Sequence, residues 1–389
     1  MFPHEEPADA PLVGVDPDRL AAVAEQFADQ QRAGRFPGGQ LAVRRHGRLI
    51  LDVAVGVDRG PGAAGQPAPR SVTTSTLFPC FSAGKAVLAV AIAMLEERGL
   101  LRAEDRIVEH VPEFAATDDA VKRKITILDV LTHRGGILMH DFCERMEDWT
   151  DWSTVQAALR DARPTLKRGT LAYHPLEYGW LLAEVAQQVT GEPFPVWLER
   201  EVAVPCGLPR LRFGCEPDEV DAVARPAWLG KPDGLIAGLQ AARMFEELAT
   251  RPELATAFIP GAGLVTDAAT LSGFYAVLVN GGMAGTGHRL LSADQVRRYT
   301  TRHVLGWDRT NSAPIALGRG FFLGTFGPSL YGWYKTGASF GHAGAFCTLG
   351  YGDHRTGLAV GMVTNGNKNP ADLVMRTASI GHALRQACV

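Results

Sequence analysis

The spacing of apolar and polar positions predicts a helix and then two strands at the start of the chain. Apolar residues recur at helical spacing over residues 16–33, where Asp16 or Asp18 is a suitable N-cap. Residues 38–44 and 49–57 then have the pattern of two strands joined by a short polar turn. The chain is therefore expected to begin as a helix followed by a hairpin.

The middle of the chain is predicted to be mostly helical, with helices separated by loops as far as about residue 280. The segment that begins at Ser82 continues as a strongly helical stretch that ends near Gly99. The other predicted helices cover residues 127–131, 152–162, 178–190, 195–202 and 268–279.

The last hundred residues return to strand patterns. Residues 340–352 and 357–364 resemble two paired strands around a polar turn, and residues 371–386 have helical periodicity. The economical arrangement is an α+β fold with one central antiparallel sheet built from both termini, flanked by helices, and a mostly α-helical region inserted between its halves. We therefore predict a sheet subdomain of residues 1–80 and 290–389, a helical subdomain of residues 81–289, and an active site between them.

Composition and charge exclude several classes of function. A chain of 389 residues that is 46% hydrophobic can bury a substantial core. Its formal net charge is −3, and no basic block interleaved with aromatic residues occurs, so we expect no nucleic-acid partner. The acidic N-terminus is unlike a signal peptide, and the longest apolar run, residues 86–95, is too short to cross a bilayer. We predict a soluble, cytoplasmic protein without a membrane partner.

The cysteines indicate neither a metal site nor a disulfide framework. No two of them form a CxxC pair, and no pair of histidines stands near them at metal-ligand spacing. Scattered thiols fit a reducing compartment. The six residues are Cys80, Cys143, Cys206, Cys215, Cys347 and Cys388.

Ser82 and Lys85 are the first candidates for chemistry. If a helix begins near Ser82, the i, i+3 spacing brings the Lys85 amine within reach of the Ser82 hydroxyl. The free N–H groups and the positive end of the helix dipole favour an oxyanion formed at Ser82. An apolar run behind Lys85 can desolvate its amine and keep it neutral enough to accept a proton. The alternative is a serine N-cap followed by an exposed lysine.

This segment resembles the SxxK signature of serine β-lactamases and penicillin-binding proteins. The resemblance extends along nearly the whole chain, because residues 125–137 are similar to the ITxxxLLTHTSGL segment of class C-like enzymes. Arg134 and Gly135 stand where that segment usually has Thr and Ser. The segment is structural in those enzymes, so the resemblance implies no catalytic role for His133. It does imply a β-lactamase and penicillin-binding-protein-like fold.

A second element, residues 167–182, resembles the family pattern PGxxxxYSNxxYxxLG and implies that Tyr173 is the catalytic tyrosine. A phenol beside a lysine ammonium is expected to ionise more easily and to relay a proton. His174 and Pro175 replace Ser and Asn, which favours the carboxylesterase branch over the β-lactamases. His174 either contacts substrate or caps the loop. Tyr178 competes for the role of Tyr173, but it lies where the family has a packing aromatic.

The third family element is a Lys/His-x-Gly triplet on an edge strand, for which the chain offers two candidates. Residues 335–337 match the literal KTG triplet, and residues 341–345 match the esterase-like GHxGA. The second candidate alone is followed by a strand, a turn and a strand, so we place residues 335–337 in the preceding loop. The resemblance implies that the backbone N–H groups of Ser82 and Ala345 form the oxyanion hole. It also implies that His342 and Gly344 line the substrate site, unless His342 is only a sheet-edge histidine.

These elements predict a serine acyl-enzyme hydrolase acting on a carboxylic ester or amide by Ser82, Lys85 and Tyr173, without a cofactor or metal. The first alternative is a transacylase that passes the acyl group of a small molecule to an amine or alcohol acceptor. The second is a catalytically silent binding protein of the same fold. A family resemblance by itself does not choose the acceptor.

Overall fold

The computed structural model describes residues 5–60, 68–116, 119–138, 145–230, 244–325 and 327–389. The α-helices with defined bounds in these ranges are α1 (Pro17–Arg32), α2 (Lys85–Glu97), α3 (Ile107–His110), α4 (Ile127–Leu131), α5 (Trp152–Asp161), α6 (Glu177–Thr190), α7 (Phe194–Leu198), α8 (Pro252–Ala255), α9 (Ala268–Val279), α10 (Ala293–Thr300) and α11 (Pro370–Ala387).

The strands in the same ranges form one large sheet and two small ones. They are β1 (Gly38–Arg45), β2 (Arg48–Gly56), β3 (Phe78–Phe81), β4 (Arg212–Phe213), β5 (Ala227–Trp228), β6 (Leu264–Thr266), β7 (Val304–Asp308), β8 (Ala313–Leu317), β9 (Phe322–Leu323), β10 (Ser339–Gly344), β11 (Thr348–Asp353), β12 (Leu358–Thr364) and β13 (Gly366–Asn367).

The large sheet joins the two ends of the chain. Its eight strands follow the order β2-β1-β12-β11-β10-β9-β8-β7, and the paired neighbours are antiparallel. Leu41 of β1 lies opposite Val53 of β2 on one side and Met362 of β12 on the other. This topology confirms the predicted α+β fold with a central sheet built from both termini.

Helices cover both faces of this sheet. Leu41 belongs to the apolar cluster under α1 and α11, whereas its neighbour Ala42 belongs to the cluster on the opposite face, as the two-residue repeat of a strand requires. Helix α9 crosses that second face very closely. A Cβ atom added at Gly361 of β12 would lie 2.2 Å from the carbonyl oxygen of Ala268, so only glycine allows this approach.

The predicted first helix is confirmed to within one residue at each end. The Asp16 side chain caps α1 by accepting the N–H of Arg19, and Pro17 occupies the first helical position, where its missing N–H costs nothing. Leu20, Val23 and Phe27 follow at helical spacing and are buried, which explains why this segment folds as an amphipathic helix.

The helical middle of the chain also contains a small sheet that the sequence analysis missed. Strands β3, β6 and β4 pair antiparallel in that order. Each has four residues or fewer, so none offers enough alternating positions to be recognised. This sheet carries β3 to the start of α2, and it therefore sets the position of Ser82. The division into subdomains at residues 80 and 289 remains a prediction.

The prediction of one strand over residues 340–352 was wrong. Residues 340–352 do not form one strand, because the segment turns at Ala345–Cys347 and β10 pairs with β11 as a hairpin. Phe346 and Cys347 in that turn have positive φ angles of 56° and 63°, which end the strand. Strand β10 pairs with β9 at Phe340 and Gly341 only, so the described pairing does not extend to the predicted edge-strand triplet at residues 342–344.

In the described part of the chain, no helix is both long enough and apolar enough to cross a membrane. Five of the six cysteines lie in this part, and all five are free thiols: Cys80, Cys206, Cys215, Cys347 and Cys388. Cys143 lies outside the described residues.

Candidate active site

Ser82 lies in a sharp turn between strand β3 and helix α2. Phe81, which ends β3, has a φ of 48°, and Ser82–Gly84 form a single 3-10 turn before α2 begins at Lys85. A non-glycine residue seldom adopts a positive φ, and such strain concentrates at functional sites. The turn leaves Ser82 partly exposed, whereas Phe81 and Lys85 beside it are buried.

The turn brings the Lys85 amine against the Ser82 hydroxyl, as the i, i+3 spacing predicted. The Lys85 Nζ atom lies 2.9 Å from Ser82 Oγ. It also donates to the backbone carbonyl oxygens of Pro175 at 2.6 Å and Gly261 at 2.7 Å. Burial lowers the pKa of Lys85 from 10.5 to about 7, although the carboxylate of Glu177 opposes this shift.

The neutral form of this amine has only one orientation that satisfies its neighbours. A neutral amine has two N–H groups and one lone pair, and carbonyl oxygens can only accept hydrogen bonds. The carbonyls of Pro175 and Gly261 therefore take the two N–H groups of Lys85. The lone pair then faces Ser82, the partner that has a proton to give. This arrangement can remove the hydroxyl proton of Ser82.

Tyr173 lies near enough to Ser82 for the Ser82 side chain to lower the pKa of its phenol. The Lys85 Nζ atom lies 5.1 Å from the centre of the Tyr173 ring. Burial raises the pKa of Tyr173 above its usual value of 10, and the interaction with Ser82 opposes this shift. The expectation that the phenol ionises more easily was therefore wrong. The raised pKa keeps the phenol of Tyr173 protonated near pH 7.

Tyr178, the competing tyrosine, is directed away from this pair. Its side chain is fully buried in α6, and its hydroxyl donates to the backbone carbonyl of Lys85 at 3.2 Å. The structure thus gives Tyr173 the contact with Ser82 and gives Tyr178 a packing position.

Strand β10 packs against the turn of Ser82 at Gly344. A Cβ atom added at Gly344 would lie 2.1 Å from the carbonyl oxygen of Cys80 and 3.4 Å from the N atom of Ala83. The strand therefore approaches the turn as closely as two backbones can, which only glycine permits. This contact places Gly344, the chain neighbour of Ala345, against the turn that contains Ser82.

Buried polar side chains stabilise the left-handed turn after Ala345 by hydrogen bonds. The hydroxyl of Thr364 donates to the Phe346 carbonyl at 2.6 Å and accepts from Nη2 of Arg376 at 2.8 Å. Both Thr364 and Arg376 are 2% exposed. The ring of Phe346 also packs on that of Phe81, with centroids 5.7 Å apart, so the two strained residues on either side of the site contact each other.

Three buried histidines surround Tyr173. Nδ1 of His342 lies 2.7 Å from the carbonyl of Ala343, and burial lowers the pKa of His342 to about 3. His174 stacks on His133 with ring centroids 5.6 Å apart, and burial lowers the pKa of both. All three rings are therefore neutral near pH 7. His174 is 1% exposed, and neither nitrogen of its ring has a hydrogen-bond partner among the described residues, so its predicted contact with substrate stays a prediction.

The KTG triplet of residues 335–337 lies in the loop before β10, as predicted. Its threonine, Thr336, is buried and donates to the carbonyl of Thr325 at 2.7 Å, a contact that closes the loop. The threonine of the triplet therefore has a structural role, since its hydroxyl is used in a contact within the loop.

Sequence reasoning missed several groups that the fold brings to this site. Two are the backbone carbonyls of Pro175 and Gly261, which no side-chain pattern can reveal. Asp308, whose carboxylate accepts the N–H of Tyr173, lies 135 residues further along the chain. The half-buried ring of Phe322 lies 4.7 Å from that of His342 and 6.0 Å from that of Tyr173. No sequence signal joins Asp308 or Phe322 to Tyr173.

Comparisons with known proteins agree with this geometry. The family model described as Beta-lactamase matches residues 22–385. The curated protein "Esterase/beta-lactamase LipL" of Mycobacterium tuberculosis is 30% identical, and the match covers 99% of this chain and 90% of the relative.

Solved structures give the same answer. A penicillin-binding protein homologue from Caulobacter crescentus is 27% identical with a TM-score of 0.81, covering 96% of this chain and 99% of its own. A family VIII carboxylesterase is 25% identical with a TM-score of 0.75, covering 94% and 99%. The chain therefore belongs to the Beta-lactamase family, within the β-lactamase-like serine hydrolase superfamily that its SxxK segment resembles.

Proposed function

We propose that the protein hydrolyses carboxylic esters through an acyl-enzyme on Ser82, with Lys85 as base and Tyr173 as proton donor. The observation that carries the proposal is the orientation of the Lys85 amine. Two carbonyl acceptors at 2.6 Å and 2.7 Å direct its lone pair to the Ser82 hydroxyl. The names of two relatives, an esterase/β-lactamase and a carboxylesterase, support an ester as the substrate.

Acylation begins when Ser82 Oγ forms a bond to the ester carbonyl carbon and its proton moves to Lys85 Nζ. The carbonyl oxygen becomes an oxyanion, to which the N–H groups of Ser82 and Ala345 donate. Gly344 supports this role, since it brings the two backbone segments together. The bond to the leaving oxygen then breaks, and that oxygen takes the proton of Tyr173, which the Lys85 ammonium replaces.

Deacylation uses the same groups in reverse. A water molecule attacks the acyl carbonyl and loses its proton to Lys85 through Tyr173, while the Ser82 oxygen leaves and takes a proton back. The products are a carboxylic acid and free enzyme. An alcohol or amine that replaces water at this step would instead make the protein a transacylase. The neutral ring of His342 on β10 has its centroid 6.2 Å from that of Tyr173, and we propose that it contacts the bound substrate.

Ester hydrolysis is expected to increase with pH through about 7, because neutral Lys85 is the active form and its pKa is lowered to about 7. Below that value kcat/KM should fall about tenfold per pH unit, and above it the rate should level off. The measurement is kcat/KM for p-nitrophenyl acetate between about pH 5 and about pH 9. A midpoint near 10.5, the ordinary lysine value, would contradict the assignment of Lys85.

The experiment that tests the function combines covalent labelling with product analysis. A fluorophosphonate probe should add one group to Ser82, detected by intact mass and peptide mapping, and the Ser82→Ala variant should remain unlabelled. Products from p-nitrophenyl butyrate are then measured with and without an added alcohol or amine. Carboxylic acid as the main product supports hydrolysis, and acylated acceptor as the main product supports the transacylase. An unlabelled parent protein would leave only the binding-protein hypothesis.

A further inference from the structure

The segment that carries Tyr173 is bound along its backbone by two residues outside it. The N–H of Ala172 donates to the carbonyl of His133 at 3.0 Å. The N–H of Tyr173 donates to Asp308 Oδ1 at 2.7 Å, and the N–H of His174 donates to His133 Nδ1 at 3.1 Å. Three consecutive N–H groups centred on the tyrosine are thus taken by one histidine and one carboxylate.

Asp308 is built into the fold to make this contact. It ends strand β7, is fully buried, and its Oδ1 also accepts the N–H of Thr310 at 3.1 Å. Its Oδ2 accepts Nδ2 of Asn311 at 2.6 Å. The hydroxyl of Thr310 in turn donates to the Tyr173 carbonyl at 2.9 Å. Both backbone groups of Tyr173 are therefore held by the turn that follows β7.

His133 holds the segment from the opposite side. Its φ is 54°, and its ring lies 4.7 Å from the Tyr173 ring and 5.0 Å from the Tyr178 ring. Because Nδ1 accepts from the N–H of His174, the proton of the neutral ring is on Nε2. The His133 ring is thus fixed in one tautomer and one position, and it packs against one side of the Tyr173 ring.

We propose that Asp308 and His133 are positioning residues that hold the Tyr173 hydroxyl where it can protonate the leaving oxygen. This inference rests on the proposed function, in which Tyr173 is the proton donor. Tyr173 as a whole is partly exposed, so the contacts to its backbone and the packing of its ring against His133 together determine where the hydroxyl lies. A displacement of about 1 Å from the reacting geometry can lower a rate about 100-fold. Two buried polar residues on separate elements prevent such a displacement.

The expected signature is a rate loss that depends on the leaving group. An alkoxide needs a proton to leave, whereas p-nitrophenolate leaves without one. Asp308→Ala is therefore expected to lower kcat/KM for an ethyl ester about 100-fold and for the p-nitrophenyl ester of the same acid about threefold. A purely structural loss would lower both rates by the same factor, and that result would overturn the inference.

A matched double variant restores the contacts of Asp308 without its charge. In the double variant Asp308→Asn with Asn311→Asp, Oδ1 of residue 308 can still accept the N–H of Tyr173. The amide of residue 308 then donates to the carboxylate of residue 311, so the hydrogen bond between these two side chains is kept with its direction reversed. We expect this pair to recover at least about a third of the ethyl ester rate. Failure of a correctly folded pair to exceed Asp308→Ala would contradict a positioning role.

His133 allows a second, independent test. Asn and Gly both tolerate the positive φ at this position, but only Asn offers an acceptor close to where Nδ1 lies. His133→Asn is expected to retain most of the ethyl ester rate, and His133→Gly to show the same leaving-group dependence as Asp308→Ala. Equal losses in both variants for both esters would overturn the role of His133.

Tyr173→Phe separates this inference from the proposed function. If Tyr173 is the proton donor, Tyr173→Phe itself shows the leaving-group dependence, and adding Asp308→Ala to it changes the ethyl ester rate less than about threefold. Full additivity of the two variants would overturn the positioning role while leaving the function intact. If the single variant Tyr173→Phe lowered the rates with both esters by the same factor, Tyr173 would not be the proton donor of the proposed mechanism.

Discussion

Replacing Lys85 by Met is expected to lower kcat/KM for ester hydrolysis by about 10⁴, the upper part of the range for general acid–base catalysis. Met fills the space of the buried lysine but has no lone pair able to take the Ser82 proton. The lysine also returns a proton to Tyr173 in the proposed mechanism, so its loss affects both steps. The measurement is the steady-state rate with p-nitrophenyl and ethyl esters, together with the rate at which a fluorophosphonate labels Ser82.

Lys85→Ala provides the matched control, because it removes the same amine and leaves a void. Propylamine added to Lys85→Ala is expected to restore part of the rate in proportion to its neutral form, whereas the filled site of Lys85→Met should not respond. Thermal unfolding of both variants checks the fold. Removing the buried amine is expected to raise the free energy of unfolding, because a desolvated polar group is lost. The loss of its hydrogen bonds to the carbonyls of Pro175 and Gly261 lowers the free energy of unfolding and so opposes that gain. Hydrolysis by Lys85→Met within about tenfold of the parent rate would exclude Lys85 as the base.

The contact between Ser82 and Lys85 could be predicted because it is local. An i, i+3 spacing fixes which side chains meet on a helical turn, and Ser82 and Lys85 indeed lie 2.9 Å apart. The apolar run that follows Lys85 also predicted its desolvation, since α2 is buried from Lys85 to Leu95. Residues of one turn interact in every fold that contains the turn, so no knowledge of tertiary structure was needed.

The contacts that hold Tyr173 could not be predicted, because they depend on distant backbone. Asp308 reaches Tyr173 only after β7 has joined the far side of the sheet. Residues 345–347, which form the turn between β10 and β11, are Ala, Phe and Cys, and none of these residue types marks a turn. The left-handed conformation of Phe346 and Cys347 is imposed by tertiary contacts such as that of Thr364 with the Phe346 carbonyl. A local pattern carries no information about either constraint.

The protonation state of Tyr173 shows the same limit in energetic terms. The sequence places a lysine near this phenol, and a full ammonium would lower the pKa of the phenol. In the structure, the burial that lowers the pKa of Lys85 also raises that of Tyr173. Desolvation disfavours the charged form of each group, so the neutral amine and the neutral phenol are stable together. Above about pH 7, the site therefore favours a neutral amine beside a neutral phenol over an ion pair.

Gly344→Ala is expected to lower ester hydrolysis by about 10² to 10³, the range found when one oxyanion donor is lost. The added methyl group would lie 2.1 Å from the Cys80 carbonyl oxygen, which is backbone and cannot rotate away. Either β10 or the Ser82 turn must therefore move, and the N–H groups of Ser82 and Ala345 separate. The rates of ester turnover and of Ser82 labelling should fall together, because both pass through an oxyanion-like transition state.

Gly337→Ala is the control for this variant. Gly337 lies in the loop before the same strand, has an ordinary φ, and has no atom within 4 Å of an added Cβ. Its rate is expected to stay within about twofold of the parent, as for most surface substitutions. If Gly344→Ala kept the parent rate as well, the close approach of β10 would not set the distance between the two N–H donors. The oxyanion would then need a donor other than the N–H of Ala345.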